Sequence, residues 1–246
     1  MYQSEHSRIT VFGDVHANLP AMEAVFTEME RRDDGDRYCL GDLVGYGASP
    51  NEIIELIRAQ GIPTIMGNYD LGVGQSSDDC GCAYRTAEAR ELGNRSIAWT
   101  NENTTSENKL SLRGLTASIP LRLGELSVLL VHGSPRKVNE YLYEDRPDRN
   151  FERLLDAAGA DVLVCGHTHL PYHKVLPSGR HVVNAGSVGK PKDDDPRAGY
   201  VVLSADDTDL SVEFVRVEYD VERAARAIEA SDMPDEFAAM LRAGRG

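Results

Sequence analysis

The chain has 246 residues, 41% of them hydrophobic and 27% charged, proportions that suit a globular protein with one substantial core. A formal charge of −14 and a pI near 4.9 argue against electrostatic capture of a nucleic acid polymer or an anionic membrane. The longest apolar stretches, such as Leu126 to Val131 with Ser127 inside it, are far too short to span a bilayer.

The first residues, Met1-Tyr2-Gln3-Ser4-Glu5-His6, lack a basic segment followed by an apolar one, so no secretory leader is expected. Cys39 and Cys165 fall inside strand-like runs, and Cys80 and Cys82 lie too close together to suggest a disulfide framework. This usage places the chain in the cytoplasm. Arginine outnumbers lysine and acidic runs recur, a bias that a salt-loving source and a GC-rich genome both produce.

In chain order, residues 8–13 read as a buried strand ending at Asp14, followed by an amphipathic helix from Leu19 to Glu30 with Asn18 as its N-cap. Asp36 to Leu40 is the next strand, with Asp42 beyond its end. Pro50 opens a helix that runs to Gln60, and Gly61 stops it. Ile62 to Met66 reads as a third short strand leading into Asn68. This alternation predicts parallel pairing, with chemistry at the carboxyl ends of the strands. From Leu71 to about Thr116 the rhythm breaks into a Gly-rich polar loop, a helix over roughly 86–99 and a shorter one near 106–113. That segment reads as an insertion over the strand ends. Strands resume at 119–123, 126–131 and 162–165, the last preceded by a helix over about 151–158. Residues 172–184 read as a hairpin turning at Ser178-Gly179, and 199–218 as another around Asp206-Asp207. Two short helices, near 221–230 and 234–242, close the chain. The expected organisation is a single domain over 1–246, with the helical insertion near 71–116 and a C-terminal helical extension near 219–246.

Five short blocks carry the chemistry: Gly13-Asp14-Val15-His16, Gly41-Asp42, Gly67-Asn68-Tyr69-Asp70, Val131-His132-Gly133 and Gly166-His167-Thr168-His169. Each sets a metal-binding side chain in or just after a short apolar run. Together Asp14, His16, Asp42, Asn68, His132, His167 and His169 offer two carboxylates, one amide and four imidazoles. That mixed oxygen and nitrogen set suits two borderline divalent ions, with Mn, Fe, Ni, Co and Zn all acceptable, rather than one structural zinc. A lone Asp-x-His means little. Four of the seven histidines at Gly-flanked strand ends is harder to explain as core packing.

In this order the blocks resemble the calcineurin-like metallophosphoesterase superfamily. Gly41-Asp42-Leu43-Val44-Gly45-Tyr46-Gly47 and Asn184-Ala185-Gly186-Ser187-Val188-Gly189 resemble its small prokaryotic phosphodiesterase branch, related to diadenosine-tetraphosphatases and Ser/Thr phosphatases. The resemblance covers about residues 8–204. It implies an α/β fold, a four-layer α/β/β/α sandwich of two mixed sheets flanked by helices. It also implies that Asp14, His16, Asp42 and His169 hold one metal while Asp42, Asn68, His132 and His167 hold the other. Two divalent ions less two carboxylates leave a net +2, which draws a phosphate ester even to an acidic protein. Ions about 3.5–4 Å apart share a hydroxide that attacks phosphorus in line, with no covalent phospho-enzyme.

One position departs from the family pattern: Tyr69 stands where a His is common, and Asp70 follows as the partner that orients that His. Tyrosine is the poorer proton donor at neutral pH. Tyr69 and Asp70 are the candidate catalytic residues, with packing under the insertion as the alternative for Tyr69. Cys80-Gly81-Cys82 reads as loop structure, Arg197 as paired with local aspartates, and Ser187 as part of a tight turn. His6, His173 and His181 lie outside the motifs, and Trp99 reads as packing. The expected activity is metal-dependent hydrolysis of a small phosphate ester: phosphodiesters, nucleotides or activated monoesters. A protein Ser/Thr phosphatase and a non-catalytic interaction module on the same fold are the alternatives. A homo-oligomer is compatible with the sequence.

Overall fold

A computed structural model describes residues 2–3, 7–206 and 209–246; His6 and the Asp207 side of the second hairpin turn lie outside the described residues. In chain order the strands are β1 (Tyr2–Gln3), β2 (Arg8–Phe12), β3 (Asp36–Cys39), β4 (Ser118–Leu123), β5 (Leu126–Val131), β6 (Val162–Cys165), β7 (Tyr172–Val175), β8 (His181–Asn184), β9 (Ala198–Asp206) and β10 (Asp209–Val217). The helices are α1 (Leu19–Arg32), α2 (Pro50–Ala59), α3 (Asn68–Gly74), α4 (Ala87–Asn103), α5 (Ser106–Arg113), α6 (Asp148–Ala158), α7 (Val221–Glu229) and α8 (Glu236–Ala243).

The strands form two mixed sheets. One runs β1-β4-β5-β6-β8-β7 and the other β10-β9-β2-β3. Parallel pairs join β2 to β3, β5 to β6 and β6 to β8, while β2–β9, β4–β5, β7–β8 and β9–β10 are antiparallel.

Side-chain alternation explains the layering, because successive strand residues face opposite sides. Ile9, Val11, Val201 and Leu203 from the smaller sheet meet Val128, Leu130, Val162 and Val164 from the larger one in a shared core. The opposite faces carry Phe12, Tyr200 and Val202 against Met22, Val25 and Met29 of α1. Likewise Leu163, Cys165 and Val182 pack on Phe151, Leu154 and Leu155 of α6. Helix, sheet, sheet and helix thus stack as four layers. β6 is buried on both faces, which is why Val162-Leu163-Val164-Cys165 is a continuous apolar run.

Local signals place the elements. The Asn18 side chain accepts from the Ala21 N–H and caps α1, and Gly159 closes α6 in the left-handed region.

Three segments differ from expectation. Ile62–Met66 is not a full strand: it makes only isolated bridges, Cys39 to Thr64 and Ile65 to Thr116, because Pro63 brings no N–H to a ladder. Residues 68–74, expected as a loop from Leu71 onward, form α3, started by the Asp70 carboxylate accepting from the Gly67 N–H at 2.9 Å. Tyr2–Gln3 adds an unanticipated edge strand parallel to β4. The segment after α3 is tied to α2 through Asn51–Asn103, Asn51–Asn108 and Arg58–Glu107 contacts.

Candidate metal centre

Both sheets end at one place. Asp14 and His16 follow β2, Asp42 follows β3, His132 follows β5, and His167 and His169 follow β6. All six are buried, as is Asn68 at the start of α3. Asp14, His16 and His169 bring ligand atoms within 4.8 Å of one another, and so do Asp42, His132 and His167. Each triad therefore combines both sheets.

The chain turns sharply to deliver these side chains. Asp14, His16, Asp42, His167 and His169 all have φ between 48° and 66°, in the left-handed region that non-glycine residues avoid. The loops are pinned across the strand ends by Asp14 N–H to Gly41 O at 2.9 Å, His16 N–H to Asp42 O at 2.9 Å and Gly189 N–H to Asp14 O at 2.9 Å. The motif glycines leave room beside the carboxylates. A methyl at Gly67 would collide with Asp42 Oδ1, and one at Gly166 with Asp14 Oδ2.

Backbone carbonyls orient three of the imidazoles. Nδ1 of His16 meets Val44 O at 3.0 Å, Nδ1 of His132 meets Leu40 O at 2.8 Å, and Nδ1 of His169 meets Lys190 O at 2.5 Å. Donation from Nδ1–H turns each Nε2 toward the centre, the orientation a metal ligand needs. His16 Nε2 lies 3.2 Å from His169 Nε2, and His132 Nε2 lies 3.1 Å from Asn68 Oδ1.

Asp42 sits between the groups. Its Oδ1 accepts from the Tyr69 N–H at 2.8 Å, and its Oδ2 lies 3.4 Å from His132 Nε2 and 3.8 Å from His16 Nε2. Asp14 Oδ2 accepts from the His167 N–H at 3.0 Å. Asp14 Oδ1, which lies 3.2 Å from His169 Nε2, and His167 Nε2 are buried and have no hydrogen-bond partner among the described residues. Orphaned buried polar atoms are rare and costly, and a cation at each triad would satisfy them. This donor set fits divalent metal ions.

Electrostatics follow the same geometry. Burial, then the neighbouring His169, lowers His16 to about 3, and burial holds His167 and His169 far below the usual imidazole value. At His132 burial works downward, but the Asp42 carboxylate prevails and raises it to about 10.

The remaining candidate residues have definite places. Asp70 spends its carboxylate on backbone amides, accepting from Asp42 N–H at 2.7 Å, Leu43 N–H at 2.8 Å and Gly67 N–H at 2.9 Å. It therefore shapes the loops around Asp42 instead of orienting the side chain of residue 69. Burial and the Asp42 charge push it up to about 7. The Tyr69 ring is fully buried between Tyr46 and His16, and its hydroxyl donates to Ser96 Oγ at 3.4 Å; burial holds that hydroxyl well above its usual value. Arg197 pairs with Asp195, Ser187 donates to Asp14 O at 2.8 Å, and His173 stacks on His181 in the β7–β8 hairpin. Trp99 packs against the C-terminal helices.

The calcineurin-like phosphoesterase superfamily domain matches residues 8–208. The chain belongs to that superfamily. Its relatives include an uncharacterized protein of Methanocaldococcus jannaschii, 33% identical over 97% of this chain and 99% of that protein. The crystal structure of a metallophosphoesterase from Sphaerobacter thermophilus is 31% identical with a TM-score of 0.75, covering 96% of this chain and 98% of its own. A hypothetical protein from Pyrococcus horikoshii shares the fold with a TM-score of 0.82 at 24% identity, covering 96% of this chain and 98% of its own.

The superfamily motifs do not account for everything around the centre. The Tyr141 ring lies 4.1 Å from His167 and stacks at 5.8 Å on Tyr143. Lys190 places its amine 5.0 Å from the Tyr46 ring centre. Cys82 Sγ accepts from Asn68 Nδ2 at 3.3 Å and lies 2.9 Å from Cys80 Sγ. No motif flags Tyr141, Lys190 or Lys192; the one signal is two lysines in Gly189-Lys190-Pro191-Lys192 within a lysine-poor chain.

Proposed function

We propose that the chain is a dinuclear-metal phosphoesterase acting on small phosphodiesters, nucleotides or activated phosphomonoesters. In this reading Asp14, His16, Asp42 and His169 hold one ion, and Asp42, Asn68, His132 and His167 the other. The observation that carries it is the pair of triads with Asp42 between them, in which Asp14 Oδ1 and His167 Nε2 are buried and have no hydrogen-bond partner among the described residues. Two divalent ions bound there would supply an activated water and polarise the phosphoryl oxygens.

The protein's own part is orientation. The carbonyls of Leu40, Val44 and Lys190 fix three imidazoles, and Asp70 holds the loops that present Asp42. We assign Asp70 and Tyr69 to positioning. With its hydroxyl turned to Ser96, Tyr69 supplies no proton to a leaving group, so esters with good leaving groups are the better substrates. The segment over 71–116 forms one wall of the site in this reading, since Cys80 and Ser96 touch Asn68 and Tyr69. Among the described residues no helix is long and apolar enough to cross a membrane.

The test is hydrolysis of bis(p-nitrophenyl) phosphate by the full chain with Mn, Co, Ni, Fe or Zn. Asp42→Ala is expected to lower turnover by at least about a thousandfold, since it removes the carboxylate shared by both ions. Hydrolysis that survives this change or needs no metal overturns the reading.

A further inference from the structure

Two thiols beside the candidate centre take no part in the proposed chemistry. All four cysteines are free. Cys39 and Cys165 are fully buried inside β3 and β6. Cys80 and Cys82 differ: their sulfurs lie 2.9 Å apart, and Cys82 lines a cleft of about 460 Å³. A disulfide needs about 2.05 Å, so closing the bond takes a shift of about 0.9 Å.

The loop holds the pair in place. Gly81 takes φ 70°, in the left-handed region, and a methyl there would collide with Asn139 Nδ2. Its N–H donates to Asp79 Oδ1 at 2.7 Å, and its carbonyl accepts from Asn139 Nδ2 at 2.6 Å. With the step between them pinned at both ends, the two thiols meet at high effective concentration.

The same two residues grip a candidate ligand. Asn68 Nδ2 donates to Cys80 O at 3.1 Å and to Cys82 Sγ at 3.3 Å, which turns Oδ1 toward His132 Nε2 at 3.1 Å. An amide has one oxygen and one nitrogen, so this grip decides which of them Asn68 presents to the centre.

We propose that Cys80 and Cys82 form a redox modification site, in which a hydroperoxide entering the cleft closes them into a reversible disulfide and thereby loosens Asn68. Cys82, half-buried on the cleft wall, reacts first, and Cys80, 6% exposed, resolves it. The Cys82 sulfur attacks one peroxide oxygen, the O–O bond breaks, and the thiol proton leaves on the other oxygen as water or an alcohol. The Cys80 sulfur then displaces hydroxide from the sulfenic acid, and its own proton completes a water. The two sulfurs together lose two electrons, which the peroxide gains. Bond formation moves the sulfurs and weakens Cys82 Sγ as an acceptor, so Asn68 Nδ2 loses one of its two partners. The disulfide stands apart from the phosphoesterase reading, whereas its effect through Asn68 rests on the metal centre of that reading.

The full chain, reduced and then treated in its native state with hydrogen peroxide, provides the test. Thiol titration after denaturation is expected to fall from four to two, with an intact mass about 2 Da lower, a bridge mapped to Cys80 and Cys82, and reversal by dithiothreitol. Cys80→Ser and Cys82→Ser each abolish the bridge, and Cys82→Ala replaces Cys82→Ser should its melting curve show it unfolded. Calorimetric titration with manganese is expected to show one ion bound at least about tenfold more weakly after oxidation, the usual effect of disturbing a ligand's hydrogen-bond partner. In Cys82→Ser peroxide leaves that affinity unchanged. Four thiols after peroxide, a bridge to Cys39, Cys165 or a second chain, or a manganese affinity indifferent to oxidation overturns the proposal. A chain that closes the bridge but binds no manganese in either state retires the metal centre and leaves the redox site. Manganese binding with four intact thiols does the reverse.

Discussion

Five candidate ligands adopt left-handed backbone at a cost of about 1 kcal/mol or more each. Asp and His enter this region more often than other side chains do, yet most of them do not, so the sequence marks these turns only weakly. The strain persists because cross-loop hydrogen bonds such as Asp14 N–H to Gly41 O over-determine it, and it aims the side chains inward. Tyr69 is the other residue-scale departure. Its buried hydroxyl, held well above 10 and directed to Ser96, is unsuited to protonating an alkoxide. A nitrophenolate leaves without that help, whereas an alkyl leaving group needs it, and positioned acids contribute roughly a hundredfold or more. Tyr69→His is therefore expected to raise turnover on alkyl phosphates relative to nitrophenyl esters by about tenfold or more. Steady-state rates on paired substrates check this, and an unchanged ratio dismisses it.

At the scale of elements, the connection from β5 to α6 matters most. It begins at His132 and carries Tyr141 onto His167. Glu140 organises it, accepting from Ser134 Oγ at 2.5 Å and Arg146 Nη2 at 2.8 Å and pairing with Arg136. Burial opposes ionisation, but these partners prevail and lower the carboxyl from 4.5 to about 2. A folded value below the unfolded one gives stability that is complete above pH 4.5 and lost as pH falls toward 2. Glu140→Gln is expected to cost about 1–3 kcal/mol at pH 7 by urea unfolding, with the gap to wild type narrowing between pH 4.5 and pH 3. A gap independent of pH would assign the loss to packing. Legibility also divides at this scale. β5, β6 and α5 were readable because apolar runs, caps and glycines agree there. α3 was hidden because Gly72 and Gly74 mask it and because the Asp42 carboxylate, from another loop, holds its Tyr69 N–H. Residues 62–66 look like a strand by composition, yet Pro63 removes the ladder donor. Of the seven candidate ligands, Asp14, Asp42, Asn68, His132 and His167 were legible because each borders a glycine, and His16 and His169 because each lies two residues from one of these. Tyr141 was not, because its contact with the His167 ring arises only in the folded chain.

For the whole molecule, the decisive fact is that each triad draws from both sheets. Asp14 and His16 of the smaller sheet meet His169 of the larger one, and Asp42 of the smaller meets His132 and His167 of the larger. The shared core of Ile9, Val11, Val128 and Val164 holds the sheets together below, so ions above would act as a second fastening. Without them, two carboxylates lie buried and both Asp14 Oδ1 and His167 Nε2 lack a hydrogen bond among the described residues, which costs free energy. Any ligand that binds only the folded state stabilises it by about 2.7 kcal/mol at one hundred times its dissociation constant. For a chain of this length each kcal/mol moves the melting temperature by roughly 2–4 °C. Chelator treatment is therefore expected to lower Tm by roughly 5–10 °C, and added manganese or zinc to restore it. Asp42→Ala should lose most of that metal-dependent shift while Glu140→Gln keeps it, because only Asp42 lies between the groups. Scanning calorimetry with and without chelator measures it directly. A Tm indifferent to metal would mean that the sheets converge without an ion to join them.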